Sequence, residues 1–250
     1  MVRIEKGQSV MMIRFAQVLC LAGIMIASSL TSFAFEVQPM RHSIFPSNGQ
    51  TTGLLTVRNT RSESLPVELI VEKRVFGEDS VQTLVPADDD FVIFPFQALI
   101  EPGATQAFRF QYIGDPTVVE ESAYTIHVRE VPVDLEGDFT GLRYVYSFGV
   151  VVYLEDRQAE SQLSVSDVSR NDSVLSVSIE NSGRSFARLS NDRISLTQGD
   201  QVIDLEGESL MSIIDQSVIP PNNKMPITLN LTNLDLAPGE ISVSLRETPD

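Results

Sequence analysis

The chain has 250 residues, with 34 acidic against 18 basic side chains, a net charge of −16 at neutral pH, one cysteine and no tryptophan. A field of that sign repels nucleic acid and anionic membrane surfaces, and a single cysteine excludes a fold stapled by internal disulfides. The length is enough to bury one large core or two small ones.

Residues 1–34 read as a signal peptide. Arg3, Lys6 and Arg14 give a positive flank, and Phe15 to Leu30 is an apolar run interrupted only by Gln17, Ser28 and Ser29. Ser32-Phe33-Ala34 then offers small residues for cleavage, leaving Phe35 first. The run is shorter than the roughly 20 apolar residues of a membrane span, so no stable membrane insertion is expected once it is removed. Cys20 lies inside it and lacks the small preceding residue of a lipid-attachment site. Met11 and Met12 are alternative starts. The mature chain of 216 residues carries 15 basic and 33 acidic groups, a net charge of −18.

From Phe35 onward the pattern is that of strands. Leu54–Val57, Val67–Val75, Phe91–Phe94, Ala107–Tyr112, Tyr124–Val131 and Val145–Leu154 are rich in branched and aromatic residues. Pro46-Ser47-Asn48-Gly49, Gly77-Glu78-Asp79, Glu101-Pro102-Gly103, Gly114-Asp115-Pro116 and Glu136-Gly137-Asp138 punctuate them. This spacing predicts an all-β sandwich of the immunoglobulin type over residues 35–155. The segment Leu142–Leu154 is long for a strand. Leu142, Tyr144, Tyr146, Phe148, Val150 and Val152 share one of its faces. Such a ladder fits a strand packed only on its own core, and it equally fits one lent to another chain. A register slip of one residue would exchange its two faces.

Glu155 to Glu160 is polar and without apolar period, which marks a linker. Beyond it Leu163–Val165, Val174–Ile179, Ile194–Thr197, Val202–Leu205, Pro226–Leu231 and Ile241–Leu245 predict a second, smaller sandwich over residues 156–250. No helix of convincing length is expected.

Catalysis has little to work with. The two histidines, His42 and His127, sit in strand-like surroundings, where a local hydrogen-bond partner is the expectation. There is no Gly-x-Ser-x-Gly elbow. Asp88-Asp89-Asp90 lacks the alternating ligands of a calcium loop and reads as a solvated turn. Zinc-ligand spacing, phosphate-cradling loops and nucleotide fingerprints are absent, so no catalytic residue, metal or cofactor is expected.

Several short runs, taken in order, resemble the periplasmic chaperones of the chaperone–usher pilus pathway. They are Ile44-Phe45-Pro46, Phe91-Val92-Ile93-Phe94-Pro95, Glu101-Pro102-Gly103 followed by Phe108-Arg109-Phe110, and Glu121-Ser122-Ala123-Tyr124 through Val131-Pro132. The likeness is greatest to the branch that serves archaic, spore-coat-type pili. It implies two immunoglobulin-like domains in a boomerang, with pilus subunits and an outer-membrane usher as partners. It further implies that a donor strand carrying Leu142, Tyr144, Tyr146, Phe148 and Val150 completes a subunit lacking its last strand. Pro46–Thr52 would end the first strand beside the subunit-binding edge, and Val133–Thr140 would be a loop ordered by cargo.

The chain departs from that family in its charges. The family's first-strand Arg falls at His42, with Arg41 adjacent, and its donor-strand Lys falls at Val151, so Arg41, His42 and Arg143 stand as substitute anchors for a subunit's terminal carboxylate. The family's Arg after the donor strand, which bridges to the glutamate matching Glu121, falls at Glu155, leaving Arg157 as the substitute for that interdomain contact. The competing reading is an immunoglobulin-like fibre subunit or adhesin. It expects one incomplete domain, a donor arm and often a cysteine pair.

Overall fold

Residues 35–77, 81–132 and 145–247 are described by the structure, a computed structural model. The expected signal peptide, the whole of the expected cargo-ordered loop, and Leu142, Arg143 and Tyr144 lie outside them.

Strand follows strand through the N-terminal half: β1 (Glu36–Gln38), β2 (Arg41–Ile44), β3 (Thr52–Arg58), β4 (Leu65–Phe76), β5 (Gln82–Pro86), β6 (Phe91–Phe94), β7 (Gln97–Ile100), β8 (Thr105–Tyr112), β9 (Ser122–Glu130) and β10 (Ser147–Leu154). They form one sheet ordered β1-β3-β8-β6 and a second ordered β2-β10-β9-β4-β5, with β7 also pairing β4. Alternation decides which residues fill the space between the sheets. Leu55, Val57, Phe108 and Phe110 point inward from the first sheet, and Val67, Val71, Ile126, Val128, Val150 and Val152 from the second. Gly53 is needed for space: a Cβ there would fall 2.1 Å from the Phe110 ring.

The C-terminal half holds β11 (Leu163–Asn171), β12 (Val174–Asn181), β13 (Ala187–Arg188), β14 (Asp192–Gln198), β15 (Gln201–Leu205), a single helical turn α1 (Gly207–Met211), β16 (Val218–Ile219), β17 (Asn223–Asn230) and β18 (Ser242–Glu247). Its sheets are β11-β12-β17 and β15-β14-β18, with β13 and β16 paired separately. Leu175, Val177, Ile179, Ile194, Leu196, Ile227 and Leu229 make a second core, separate from the first.

One device occurs in both halves. Asn59, just past β3, is fully buried. Its Nδ2 donates to Glu63 O at 2.7 Å and Ile100 O at 2.9 Å, while its Oδ1 accepts from Arg61 N at 2.9 Å. Asn181, at the end of β12, is also fully buried. Its Nδ2 donates to Ser185 O, Ile219 O and Pro220 O, and its Oδ1 accepts from Gly183 N and Gln162 N. In each case the amide closes the loop that follows it and ties that loop to a strand far along the chain. Buried amides need such partners. The two halves solve the same corner in the same way, although no tandem repeat is visible in the sequence.

Candidate functional site: the open edge of β10

Among the described residues, the second sheet leaves part of β10 without a neighbour on one side. On one side β10 pairs antiparallel with β9 along its whole length, from Ser147 opposite Arg129 to Leu154 opposite Ser122. On the other side β2 runs parallel to it, but only from Val151 opposite Arg41 to Leu154 opposite Ile44. The chain before β2 cannot extend that pairing. It crosses at Gln38-Pro39 to the opposite sheet, where β1 pairs with β3. Among the described residues no strand flanks Ser147–Val150 on that side.

Hydrogen-bond phase shows which groups are left. Glu130 N donates to Tyr146 O at 3.0 Å, so even-numbered residues of β10 exchange bonds with β9. Val151 N donates to Met40 O at 3.0 Å, so odd-numbered residues face the β2 side. The N–H and C=O of Ser147 and Gly149 therefore point along the open edge. An edge of unpaired peptide groups is a template for another strand.

Tyr146, Phe148, Val150, Val152 and Leu154 share the inward face. Val150 is 0% exposed and belongs to this half's own core, Phe148 is half-buried against that core, and Tyr146 is 37% exposed. Within the described part of the expected donor face, Val150 is thus enclosed and Tyr146 is open to solvent. Phe35, only 2% exposed, sets its ring edge-on to Phe148 at 4.8 Å. Arg61 forms a bidentate pair with the buried carboxylate of Glu130, Nη1–Oε1 2.7 Å and Nη2–Oε2 2.9 Å. Its Cζ lies 5.5 Å from the Tyr146 ring and 5.9 Å from the Phe35 ring. The pairing with Glu130 holds the guanidinium above its ordinary pKa.

The anchor candidates are separated by the fold. Arg41 reaches Glu155 Oε1 at 3.6 Å and stands 4.8 Å over the Tyr153 ring, with its side chain 51% exposed. His42 is turned the other way, its Nε2 donating to Leu54 O at 2.6 Å. Glu155 also accepts from Arg188 Nη2 at 2.7 Å, and that guanidinium lies 5.3 Å over the same Tyr153 ring. Two arginines, one from each half, thus share a carboxylate and an aromatic face.

Glu121 does join the two halves, but without Arg157. Its Oε2 accepts from Ser185 Oγ and Phe186 N, both at 2.9 Å, and its Oε1 accepts from Asp156 N at 3.3 Å. Burial pushes this carboxyl above its usual range, and the three donors partly offset the effect. With both oxygens occupied, Arg157 stacks 4.5 Å over the Phe45 ring instead.

Two other titratable residues make contacts within the first half. His127 Nε2 lies 2.8 Å from Glu72 Oε2 on the outward face of the second sheet. Within the Asp88–Asp90 turn, Asp90 Oδ2 accepts the hydroxyl of buried Tyr124 at 2.8 Å. Among the described residues no group of His, Cys, Asp and Glu is placed to hold a metal ion, and no helix is long and apolar enough to cross a membrane. The sequence carries no catalytic motif.

No protein-family model and no curated protein matches the chain. Solved structures do. A chain from the chaperone–tip adhesin complex of CFA/I fimbriae biogenesis superposes with a TM-score of 0.53 at 16% identity, covering 85% of this chain and 98% of that one. The class 5 fimbriae chaperone CfaA gives 0.52 at 16%, covering 86% and 100%. The E. coli chaperone DraB gives 0.50 at 17%, covering 87% and 98%. At these identities the likeness is one of fold, and it spans nearly the whole of each of those chains.

Proposed function

We propose that this protein is a non-enzymatic periplasmic chaperone of the archaic, spore-coat-type branch of the chaperone–usher pathway, built from two immunoglobulin-like domains set in a boomerang. It binds pilus or fimbrial subunits by donor-strand complementation and delivers them to an outer-membrane usher. The observation that carries this reading is the open edge at Ser147–Gly149, beside an exposed Tyr146 and a half-buried Phe148. A subunit lacking its last strand needs backbone partners along one edge and apolar side chains for its groove. This stretch of β10 offers both. Val150 remains in its own core. The lent side chains are therefore Leu142, Tyr144 and Tyr146, with Phe148 at the boundary. Each such side chain contributes about 1.5–3 kcal/mol when fully buried.

The subunit's terminal carboxylate, in the same reading, is met by Arg41. Its guanidinium is half-exposed and oriented by Glu155 and Tyr153. His42 is committed to Leu54 O, and Arg143 lies outside the described residues.

The direct test is co-expression with candidate pilus subunits and co-purification. Tyr146→Asp should abolish capture while far-UV circular dichroism stays that of the parent. Unchanged capture by the folded variant would remove this face from the reading.

A further inference from the structure

Tyr146 is held in place before any partner arrives, and the residues that hold it come from far along the chain. Its carbonyl accepts Glu130 N at 3.0 Å. The carboxylate of that same Glu130 fixes Arg61 through two bonds, and Arg61 in turn lies 5.5 Å from the Tyr146 ring. The guanidinium also approaches the ring of Phe35, which closes against Phe148. Arg61 and Glu130 are both largely buried, with side chains 18% and 6% exposed. An ion pair so placed is a doubtful source of stability, because desolvation opposes the Coulomb gain. It is, however, a stiff support: the planar guanidinium has one orientation once both of its Nη atoms are engaged.

We propose that Arg61, oriented by Glu130, and Phe35 are positioning residues that mark the boundary between the retained strand β10, from Phe148 on, and the lent segment that meets it at Tyr146. Phe35 seals Phe148 into the core of the N-terminal half. Arg61 braces the next inward side chain, Tyr146, by a cation–π contact at the mouth of that core. The inference rests on the strand-lending reading. It adds that the first side chain offered to a subunit is a tyrosine set in a fixed orientation, so less rotamer freedom is lost on binding.

The chain lacks tryptophan, which makes the test direct. Tyr146→Trp places a single reporter at the brace, and acrylamide quenching of its emission is measured in the full mature chain. Arg61→Met combined with Glu130→Gln removes both charges together, so that neither is left buried alone. We expect the quenching constant to rise about threefold, the scale of a cation–π contact of modest strength. A similar rise is expected with Phe35→Ala, a second variant that leaves the ion pair intact. Equal quenching in the Tyr146→Trp chain and in both variants built on it, with circular dichroism unchanged, would overturn the proposal. Failure of the underlying reading has a different signature: the brace behaves as described, yet Tyr146→Asp captures subunits as well as the parent does.

Discussion

Glu121 is a carboxylate enclosed between the two halves and bonded to three donors. Burial raises its pKa above the ordinary 4.5, and linkage gives the consequence. A group with a raised folded-state pKa contributes fully below its unfolded value. That contribution is lost as pH climbs through the folded value. The difference in unfolding free energy between the parent and Glu121→Ala should therefore be largest in acid and shrink from about pH 4.5 upward. Equilibrium denaturation at a series of pH values measures it, and a difference that widens with pH would contradict the assignment. The buried asparagines make a simpler case. Asn59→Ala and Asn181→Ala each strand several peptide groups without partners, and each should cost about 1–3 kcal/mol in urea denaturation. The losses should fall in different halves, so the double variant should show additive effects.

At the scale of elements, β10 is both a core strand and an edge, because β1 and β2 lie in different sheets. The retained end is legible in sequence: the alternation from Phe148 to Leu154 marks an inward face. The open edge is not, since it follows from where the preceding strand crosses and leaves no local signature. The same distinction explains the strands that the sequence shows and those it hides. Phe91–Phe94 appears at its expected bounds, and Val67–Val75 lies within β4. β6 is short but wholly apolar, whereas β1, β2 and β7 mix polar and apolar residues over three or four positions, too few to show a period, and β5 is exposed at every position, so it has no apolar face to betray it. Arg61 sits in a polar loop of Asn, Thr, Ser and Glu, where only tertiary contact distinguishes it from a surface charge. Gly183 gives a further check on element packing. A Cβ there would fall 2.3 Å from Glu160 O and 2.6 Å from Gln162 N, both of them backbone. Gly183→Ala should cost about 1–3 kcal/mol by forcing the connecting segment off the Asn181 loop. Thermal unfolding would register the loss.

Across the whole molecule, two cores are joined by polar contacts. Glu121 reaches Ser185 and Phe186, Arg188 reaches Glu155, and Asn223 Nδ2 donates to Gly77 O. Apolar contact is added where the Phe186 ring meets Tyr153 at 5.1 Å and Phe76 at 6.5 Å. The Arg188–Glu155–Arg41 chain starts beside β10, so the strand proposed to bind cargo is also tied to the other half. Arg188→Ala should free Glu155 to hold Arg41 alone, weakening the junction while leaving each core intact. Two resolved calorimetric transitions in place of a more cooperative one would show this.

The strand-lending account is tested most directly by residue-resolved hydrogen exchange over β10, in the free protein and in a purified complex with a subunit. Phe148 and Val150 donate toward β9, so their amides should be protected in both states. Ser147 and Gly149 face the open edge, and their amides should exchange rapidly in the free protein and become protected in the complex. Protection at Ser147 and Gly149 that stays the same on binding would contradict the account.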